Sequence, residues 1–166
     1  MADYSISEIK TALAGLIEAV DDTGIVLIDM RLVEDSAEII ALIQSLNRPT
    51  NEAKGWLLTL DGIREADSEN SCEIVQTVGI KLETLYPYAH RRADGSTSEQ
   101  AFGTMVEAVM TALRGARDLG LDGRIHHNLL SSDEGFMIAH WSGIGDDTLV
   151  THFARFNLEI ANSIFV

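Results

Sequence analysis

The sequence predicts an α+β fold in which a mainly antiparallel sheet of about five to six strands has its helices packed on one face. Three observations predict it. The chain opens with an amphipathic helical pattern at residues 6–20, contains one long alternating segment at residues 72–86, and closes with three strand-like segments joined by short loops. Strands joined by short loops pair antiparallel, and a sheet with one apolar face buries that face against helices.

Length and composition indicate one globular domain. The chain has 166 residues, of which 46% are hydrophobic and 23% charged, close to the usual composition of folded domains. A chain of this length forms one hydrophobic core, and no repeat or low-complexity linker divides it. We therefore expect a single α+β domain over residues 1–166, with a short helical insertion at about residues 34–54.

The first predicted elements are a capped helix and a short strand. Ser5 and Glu8 have the spacing of a capping box, and apolar residues follow at helical intervals as far as Val20. Residues 24–32 are rich in β-branched side chains, which is typical of a strand.

A second helix and a second strand follow. Residues 35–46 begin with another capping signature and continue with helical spacing, and Pro49 ends the helix. Residues 56–63 are apolar and short enough to be a strand. The polar residues 64–71 then predict a loop.

Residues 72–86 alternate so regularly that they predict one long strand. The set that starts at Cys72 is mainly apolar and is expected to face the core, while the set that starts at Glu73 is mostly polar and is expected to face solvent. Fifteen residues span about 50 Å, so we expect a bulge at Gly79 or a projection beyond the main sheet. Cys72, the only cysteine, is expected to be a small buried residue.

The C-terminal half predicts one helix and three strands. Ser96 and Glu99 form a third candidate capping box before helical apolar positions, and Gly115 can end that helix. The three segments that follow have the composition of strands joined by short loops. They are residues 125–130, 135–142 and 148–161, with the last two separated by the loop 143–147.

The charge pattern opposes nucleic-acid binding. The net charge is −14 and Arg91–Arg92 is the only adjacent basic pair, whereas phosphate-backbone binding needs clustered basic residues. An acidic surface is still compatible with repelling DNA that slides past it. Asp21–Asp22 and Asp146–Asp147 fall in predicted turns, where we expect them to be solvated. No secretory signal pattern follows Met1, and the apolar runs are too short to span a bilayer, so we expect an intracellular protein without a membrane.

No local catalytic motif is present, and the histidines are the strongest candidates for chemistry. His126, His127, His140 and His152 lie on the three C-terminal strands, where three imidazoles could form a zinc site. However, adjacent residues of a strand point to opposite faces, and no carboxylate is placed to orient such a set. We therefore expect no catalytic residue, no cofactor and no metal. A small histidine-dependent metal-binding enzyme or ligand-binding domain is the alternative.

Four apolar residues predict a second contact surface. Val75, Met137, Trp141 and Phe153 fall on strand faces opposite those assigned to the core. Contiguous exposed apolar area usually marks an interface, so these residues form the candidate subunit interface. The alternative is that bulges shift the register and bury them within the chain.

The order of elements resembles that of the tail-terminator proteins of long-tailed bacteriophages. The matching features are an N-terminal helix running into residues 22–24, a strand opened by Trp56, the alternating strand to Tyr86, a Ser96-capped helix, and a closing strand that begins at residues 152–154. The resemblance covers nearly the whole chain and is carried by element order, length and acidic character.

The resemblance implies a non-enzymatic structural protein of the virion, assembled in the host cytoplasm. Proteins of this family form a homo-oligomeric ring, a hexamer, that caps the tail tube and joins it to the head-side connector, while DNA passes through the lumen without specific binding. The expected partners are thus other copies of the chain, the tail tube protein and the connector or neck proteins. Residues 33–54 depart from the family pattern, which leaves a neighbouring neck or tail-completion role open.

Overall fold

The computed structural model describes residues 4–30, 37–48, 50–67, 72–88, 93–121, 125–129, 137–143 and 150–165; for residues 37, 126–129, 137–143, 150 and 165 it describes the backbone path. The α+β class is confirmed. The elements in chain order are α1 (Ile6–Glu18), β1 (Ile25–Ile28), α2 (Ala37–Leu46), β2 (Gly55–Asp67), β3 (Glu73–Pro87), α3 (Ser98–Gly115), β4 (Ile125–Leu129), β5 (Met137–Gly143) and β6 (Val150–Phe165). Among the described residues, no helix is both long enough and apolar enough to cross a membrane.

The described strands form one mixed sheet in the order β1-β2-β3-β6-β4, and β5 also pairs with β6. β5 lies along residues 150–155 of β6 and β4 along residues 158–162, so the two short strands follow each other along the same side. The expectation of an antiparallel sheet holds for β2 to β6. It does not hold for β1, which pairs with β2 in parallel.

Helix α2 is the crossover that this parallel pair requires. Parallel neighbours cannot be joined by a tight turn, because the chain has to return to the same end of the sheet. The helix buries Ile40 and Ile43 in a cluster with Ala53, Leu57 and Leu85. The predicted insertion at residues 34–54 is therefore part of the sheet's connectivity.

The helices cover both faces of the sheet, which corrects the expectation of helices on one face. Helices α1 and α3 pack on the face that carries Trp56, Leu58 and Tyr86, whereas α2 packs on the opposite face at Leu57 and Leu85. These are called the core face and the second face. Leu85 was predicted to face solvent and is fully buried, because α2 covers that end of the second face.

Strand β3 matches the predicted long strand closely. It runs from Glu73 to Pro87, and its core-face residues are buried from Val78 to Tyr86. Cys72 lies in the turn that precedes the strand and is exposed, so the prediction of a buried thiol is wrong.

Strand β2 continues four residues beyond its predicted end. Residues 64–67, predicted as loop, pair with β3 as far as Asp67 opposite Ile74. Polar residues are tolerated there because both faces of this part of the strand are exposed, so cross-strand backbone hydrogen bonds outweigh local composition. The predicted irregularity at Gly79 lies on the partner strand, where the register shifts between Leu60 and Gly62 and places Gly62 opposite Gly79.

The first helix begins with the predicted capping box. The Ser5 hydroxyl accepts a hydrogen bond from the Glu8 backbone N–H at 3.2 Å, and the Glu8 carboxylate accepts one from the Ser5 N–H at 2.8 Å. The backbone hydrogen bond from Ser5, followed by the one from its hydroxyl, lowers the pKa of the Glu8 carboxyl. These bonds satisfy amides that a helix start leaves without partners.

The cap of α3 lies one residue later than predicted. Thr97 and Gln100 form the capping box, while the backbone N–H and hydroxyl of Ser96 both donate to the Asp94 carboxylate, at 2.9 and 2.7 Å. Ser96 is held by that turn, so the prediction of Ser96 and Glu99 as the box is wrong. Two neighbouring hydroxyl residues compete for the cap, and the backbone path decides between them.

Candidate interaction surface

The register of β6 separates the histidines that were considered for a metal site. His126 and His127 lie on β4 opposite Ala161 and Ile160, whereas His152 lies near the start of β6. The eight residue steps from 152 to 160 span about 26 Å. Among the described side chains, no group of three or more His, Cys, Asp or Glu residues is placed to hold a metal ion.

His140 is the one predicted candidate that comes near His152. Its neighbour Ala139 on β5 lies opposite Phe153, which brings the two backbones together across adjacent strands. The side chains of His126, His127 and His140 lie outside the described residues. The fold therefore separates the four histidines into two groups at opposite ends of β6.

His152 instead joins β6 to the start of α3. Its Nε2 shares a hydrogen bond of 2.8 Å with the Ser98 hydroxyl, and both residues are buried. The imidazole stacks on Phe102 with ring centroids 5.3 Å apart and lies 5.5 Å from the Tyr88 ring. Sequence reasoning missed this pair because the two residues are 54 positions apart and neither has a local motif.

Asp22, which was expected to be solvated, connects three parts of the fold. Its carboxylate accepts hydrogen bonds from the Tyr86 hydroxyl and from the Lys54 ammonium group, each at 2.6 Å. The turn approaches Lys54 so closely that a Cβ on Gly24 would lie 2.3 Å from the Lys54 carbonyl oxygen, and Gly24 also has φ +75°. Both features require glycine there. These contacts hold the end of α1 against the start of β2 and the end of β3. Asp146–Asp147 lie outside the described residues.

The four predicted interface residues do not form one patch within a single chain. Val75 and Phe153 are half-buried and lie on the second face, but Val75 lies opposite Ser163 and Phe153 opposite Leu85. The ten residue steps from 75 to 85 along β3 span about 33 Å. Phe153 packs beside the α2 cluster. Met137 and Trp141 lie on β5, and their side chains are outside the described residues.

The end of β2 is an exposed edge of the described sheet, and it lies beside the start of β3, which pairs in turn with the end of β6. We call residues 60–67 of β2 and 73–77 of β3 the strand arm. All eight residues from Leu60 to Asp67 are exposed, and residues 73–77 are half-buried. The described pairing of β1 with β2 ends at Leu58, so the outer edge of β2 has no described partner strand along the arm.

A bulge places two apolar residues of the strand arm on the same face. Leu60 lies opposite Ile80 and Ile63 opposite Val78, with the register shift between them. Ile80 and Val78 both belong to the core face, so Leu60 and Ile63 do as well. Their exposed fractions are 36% and 44%. Regular alternation would have put them on opposite faces, so the bulge at Asp61 creates an apolar pair beside the open edge.

The second face of the strand arm carries a polar groove of about 440 Å³ at the bulge. Its floor is the facing pair Gly62 and Gly79, and a Cβ on Gly62 would meet no atom within 4 Å. Neither glycine has the positive φ that would require it. Two ion pairs flank the floor. They are Lys81 with Asp61 at 3.3 Å and Arg64 with Glu159 at 3.1 Å.

Comparison of the chain with models of known protein families and with curated proteins finds no match. A function is therefore inferred from the geometry and charge of this chain. Among the described residues, the open edge of the strand arm and its exposed apolar pair are not accounted for by packing within a single chain.

Proposed function

We propose that the protein is a structural subunit of a bacteriophage virion, a tail-terminator or neck protein. In this role several copies form a ring that caps the tail tube and joins it to the head-side connector, and DNA passes through the ring opening. The main support for the proposal is the exposed edge of the strand arm, which is unpaired among the described residues. The order of elements, which resembles that of tail-terminator proteins, supports it as well.

The strand arm has the properties of a surface that another protein covers. Residues 60–67 form the exposed edge of the sheet, while β3 behind them pairs with the end of β6. An open strand edge beside apolar side chains invites pairing with another chain. In a ring, each subunit is covered by a neighbour on both sides. Ring assembly thus accounts for an open strand edge with exposed apolar side chains.

The charge of the chain suits a DNA passage. The net charge is −14, and residues 60–67 of the strand arm carry three acidic residues against Arg64 alone. DNA binds tightly to clustered basic residues through its phosphates. An acidic ring opening repels the phosphates, so the DNA moves through it without sticking.

The partners in this proposal are other copies of the chain, the tail tube protein and the head-side connector. The place of action is the tail or neck of the virion, with assembly in the host cytoplasm. The crossover helix α2, which departs from the family pattern, covers the second face next to Phe153. It is a candidate for the part that adapts the ring to a particular neck.

Binding to tail tubes tests the proposal. Tubes polymerised from the tail tube protein of a long-tailed phage that encodes this chain are mixed with the purified chain, sedimented, and imaged by negative stain. We expect the chain to cosediment in proportion to the number of tube ends, to appear as a ring at those ends, and to stop further tube growth. Binding along the tube wall, or no binding by a folded chain at concentrations above about 10 μM, would refute the terminator role.

A matched pair of variants separates the strand arm from the rest of the surface. Leu60→Lys with Ile63→Lys puts charge on the strand arm, and Leu46→Lys puts it on the exposed end of α2, where Leu46 is 51% exposed. We expect the first variant to lose ring formation and the second to keep it. Equal behaviour of the two variants would remove the strand arm from the proposal.

A further inference from the structure

Two glycines face each other in the sheet, and the fold of the single chain requires neither of them. Gly62 of β2 lies opposite Gly79 of β3, and neither has a positive φ. A Cβ on Gly62 would meet no atom within 4 Å, and a Cβ on Gly79 would lie 3.6 Å from its nearest neighbours, which is an ordinary contact. Glycine weakens a strand, because it packs no side chain and loses more backbone entropy on folding than other residues. Alanine would therefore fit at both positions and stabilise the strands.

The two glycines form the floor of the groove of about 440 Å³ on the second face. Helix α2 covers Leu57 and Leu85 on the same face, and none of its described residues lines the groove. Two adjacent strands without side chains present a flat surface of backbone, on which an aromatic ring can lie. Aromatic side chains are known to stabilise strand glycines by packing against them.

The rim of the groove carries two cations, and each is already paired with a carboxylate. A guanidinium nitrogen of Arg64 lies 3.1 Å from a Glu159 carboxylate oxygen, and the Lys81 ammonium nitrogen lies 3.3 Å from an Asp61 oxygen. A charged ligand gains little from a rim whose charges are balanced, whereas the face of a neutral aromatic ring attracts cations. The planar guanidinium group of Arg64 can also stack on such a ring, since its side chain is 81% exposed. The charges of the rim thus favour a neutral aromatic group.

The groove also contains a polar atom that lacks a partner. The Oδ1 atom of Asn157 is buried without a hydrogen-bond partner among the described residues, and Asn157 lines the groove. A buried acceptor without a partner costs free energy that a suitable donor recovers. Asn157 lies opposite Lys81, two residues from Gly79 on the neighbouring strand. The strand spacing and rise place the Cα atoms of Asn157 and Gly79 about 8 Å apart, so a ring on the glycine pair can reach Asn157 with a polar group at its far end.

Tyrosine is the side chain that meets these requirements. Its phenol ring is flat and neutral, and its hydroxyl can either donate or accept a hydrogen bond. The hydroxyl therefore satisfies the Asn157 amide in either orientation, whereas the ring N–H of tryptophan only donates. We infer that the groove binds a tyrosine side chain of a partner protein, with the phenol ring on Gly62 and Gly79 and the hydroxyl on Asn157.

The tyrosine comes from a different protein. The chain has three tyrosines, and each of them packs within the chain. Tyr86 is fully buried, Tyr4 packs against the core cluster, and the Tyr88 ring lies 5.5 Å from the His152 ring. A second copy of this chain thus cannot supply a tyrosine without disturbing its own fold. The docking site goes beyond the ring of the proposed function and does not depend on it.

Titration of the isotope-labelled full chain with short peptides tests the inference. The probe is the tripeptide Gly-Tyr-Gly with blocked ends, and NMR follows the backbone amides of Gly62 and Gly79 and the side-chain amide of Asn157. We expect saturable shifts at these three positions with millimolar affinity. Gly-Phe-Gly, which lacks only the hydroxyl, should bind about three- to tenfold more weakly, since it loses one neutral hydrogen bond. Gly-Leu-Gly, which has no ring, should give no saturable shift.

Two variants and a control separate the floor of the groove from its polar end. Gly62→Val fills the floor and should weaken the binding of Gly-Tyr-Gly at least tenfold, while the free energy of unfolding stays at or above the wild-type value. Asn157→Leu should bind Gly-Tyr-Gly and Gly-Phe-Gly equally and leave the affinity for Gly-Phe-Gly unchanged. The control is Gly103→Ala on α3, where a Cβ also meets no atom within 4 Å; it should bind like the wild type.

Several outcomes would overturn the inference. They are the absence of saturable shifts in the folded wild-type chain, shifts confined to other residues, equal binding of the tyrosine and phenylalanine peptides, and undiminished binding by Gly62→Val. A last probe distinguishes the source of the phenol. p-Cresol carries the same ring without peptide groups, and if it binds as tightly as Gly-Tyr-Gly, the groove takes a free phenolic compound and the protein partner is ruled out.

Discussion

The substitution Ile43→Ala tests whether α2 is a packed crossover of the fold. Ile43 is fully buried on the second face, in a cluster with Leu57 and Leu85. The change removes three carbon atoms, worth about 2.4 kcal/mol at 0.8 kcal/mol each. The residual cavity raises the cost to about 3 kcal/mol. For a chain of this size, the loss corresponds to a decrease of about 6–12 °C in the melting temperature.

Urea unfolding measured by circular dichroism gives the free energy of unfolding of the variant and of a matched control. Leu46→Ala is the control, since Leu46 lies on the same helix and is 51% exposed. It should cost well under about 1 kcal/mol, in line with other exposed positions. The slope of free energy against urea should be the same in the wild type and both variants, because the surface exposed on unfolding is unchanged.

A cost for Ile43→Ala no larger than that for Leu46→Ala would refute the packing of α2 on the second face. In that case α2 would be an appended helix, as the sequence suggested. The parallel pairing of β1 with β2 would then lack its packed connection.

Three further predictions follow from single contacts. Arg155→Met removes two hydrogen bonds, of 2.9 and 2.6 Å, from the buried carboxylate of Glu83, and should lower the free energy of unfolding by about 2–3 kcal/mol in urea titrations. Thr97→Ala removes the N-cap of α3 and should cost about 1 kcal/mol by the same measurement. The backbone N–H of Ser5, and after it the hydroxyl, lowers the pKa of the Glu8 carboxyl below its ordinary value of 4.5. The cap therefore contributes its full stabilisation to the fold above pH 4.5, and this contribution is lost as the pH falls through the lowered pKa. Carboxyl NMR titration should show the lowered pKa in the wild type and a partial return toward 4.5 in Ser5→Ala.

Each of these three predictions has a control variant. Arg155→Lys keeps the charge and should recover part of the loss. Ser96→Ala should cost less than Thr97→Ala, and the reverse order would restore Ser96 as the cap. Ser5→Gly and Ser5→Ala both keep the backbone N–H of residue 5, so in both variants the pKa of Glu8 should remain partly lowered. A full return of the Glu8 pKa to its ordinary value in both variants would contradict the leading role of that N–H.

Local periodicity was sufficient for the elements that are stabilised by their own spacing. The first helix, its capping box at Ser5 and Glu8, and the full length of β3 agree with the sequence patterns. Each pattern depends on residues within a few positions of each other. The excess length of β3 also led to the expectation of a bulge or a projection beyond the main sheet. No projection is seen, because β3 pairs with β6 from Glu73, opposite Phe165, to Pro87, opposite Thr151.

Contacts between distant residues decided what local patterns could not. The extension of β2 to Asp67 depends on hydrogen bonds to β3, and its polar composition alone predicts a loop. The bulge that brings Leu60 and Ile63 to one face is a property of two paired strands. The pairing of Ser98 with His152 joins positions 54 residues apart.

By itself, the sequence determined the class of fold, the main helices, the long strand and the acidic character of the chain. The tertiary structure decided that β1 pairs in parallel, that α2 covers the second face, and that Gly62 of β2 lies opposite Gly79 of β3. The physical reason is the range of the interactions. Helix caps and side-chain alternation act within a few residues, whereas strand neighbours, register and edge exposure depend on which distant segments share the backbone hydrogen bonds of the sheet.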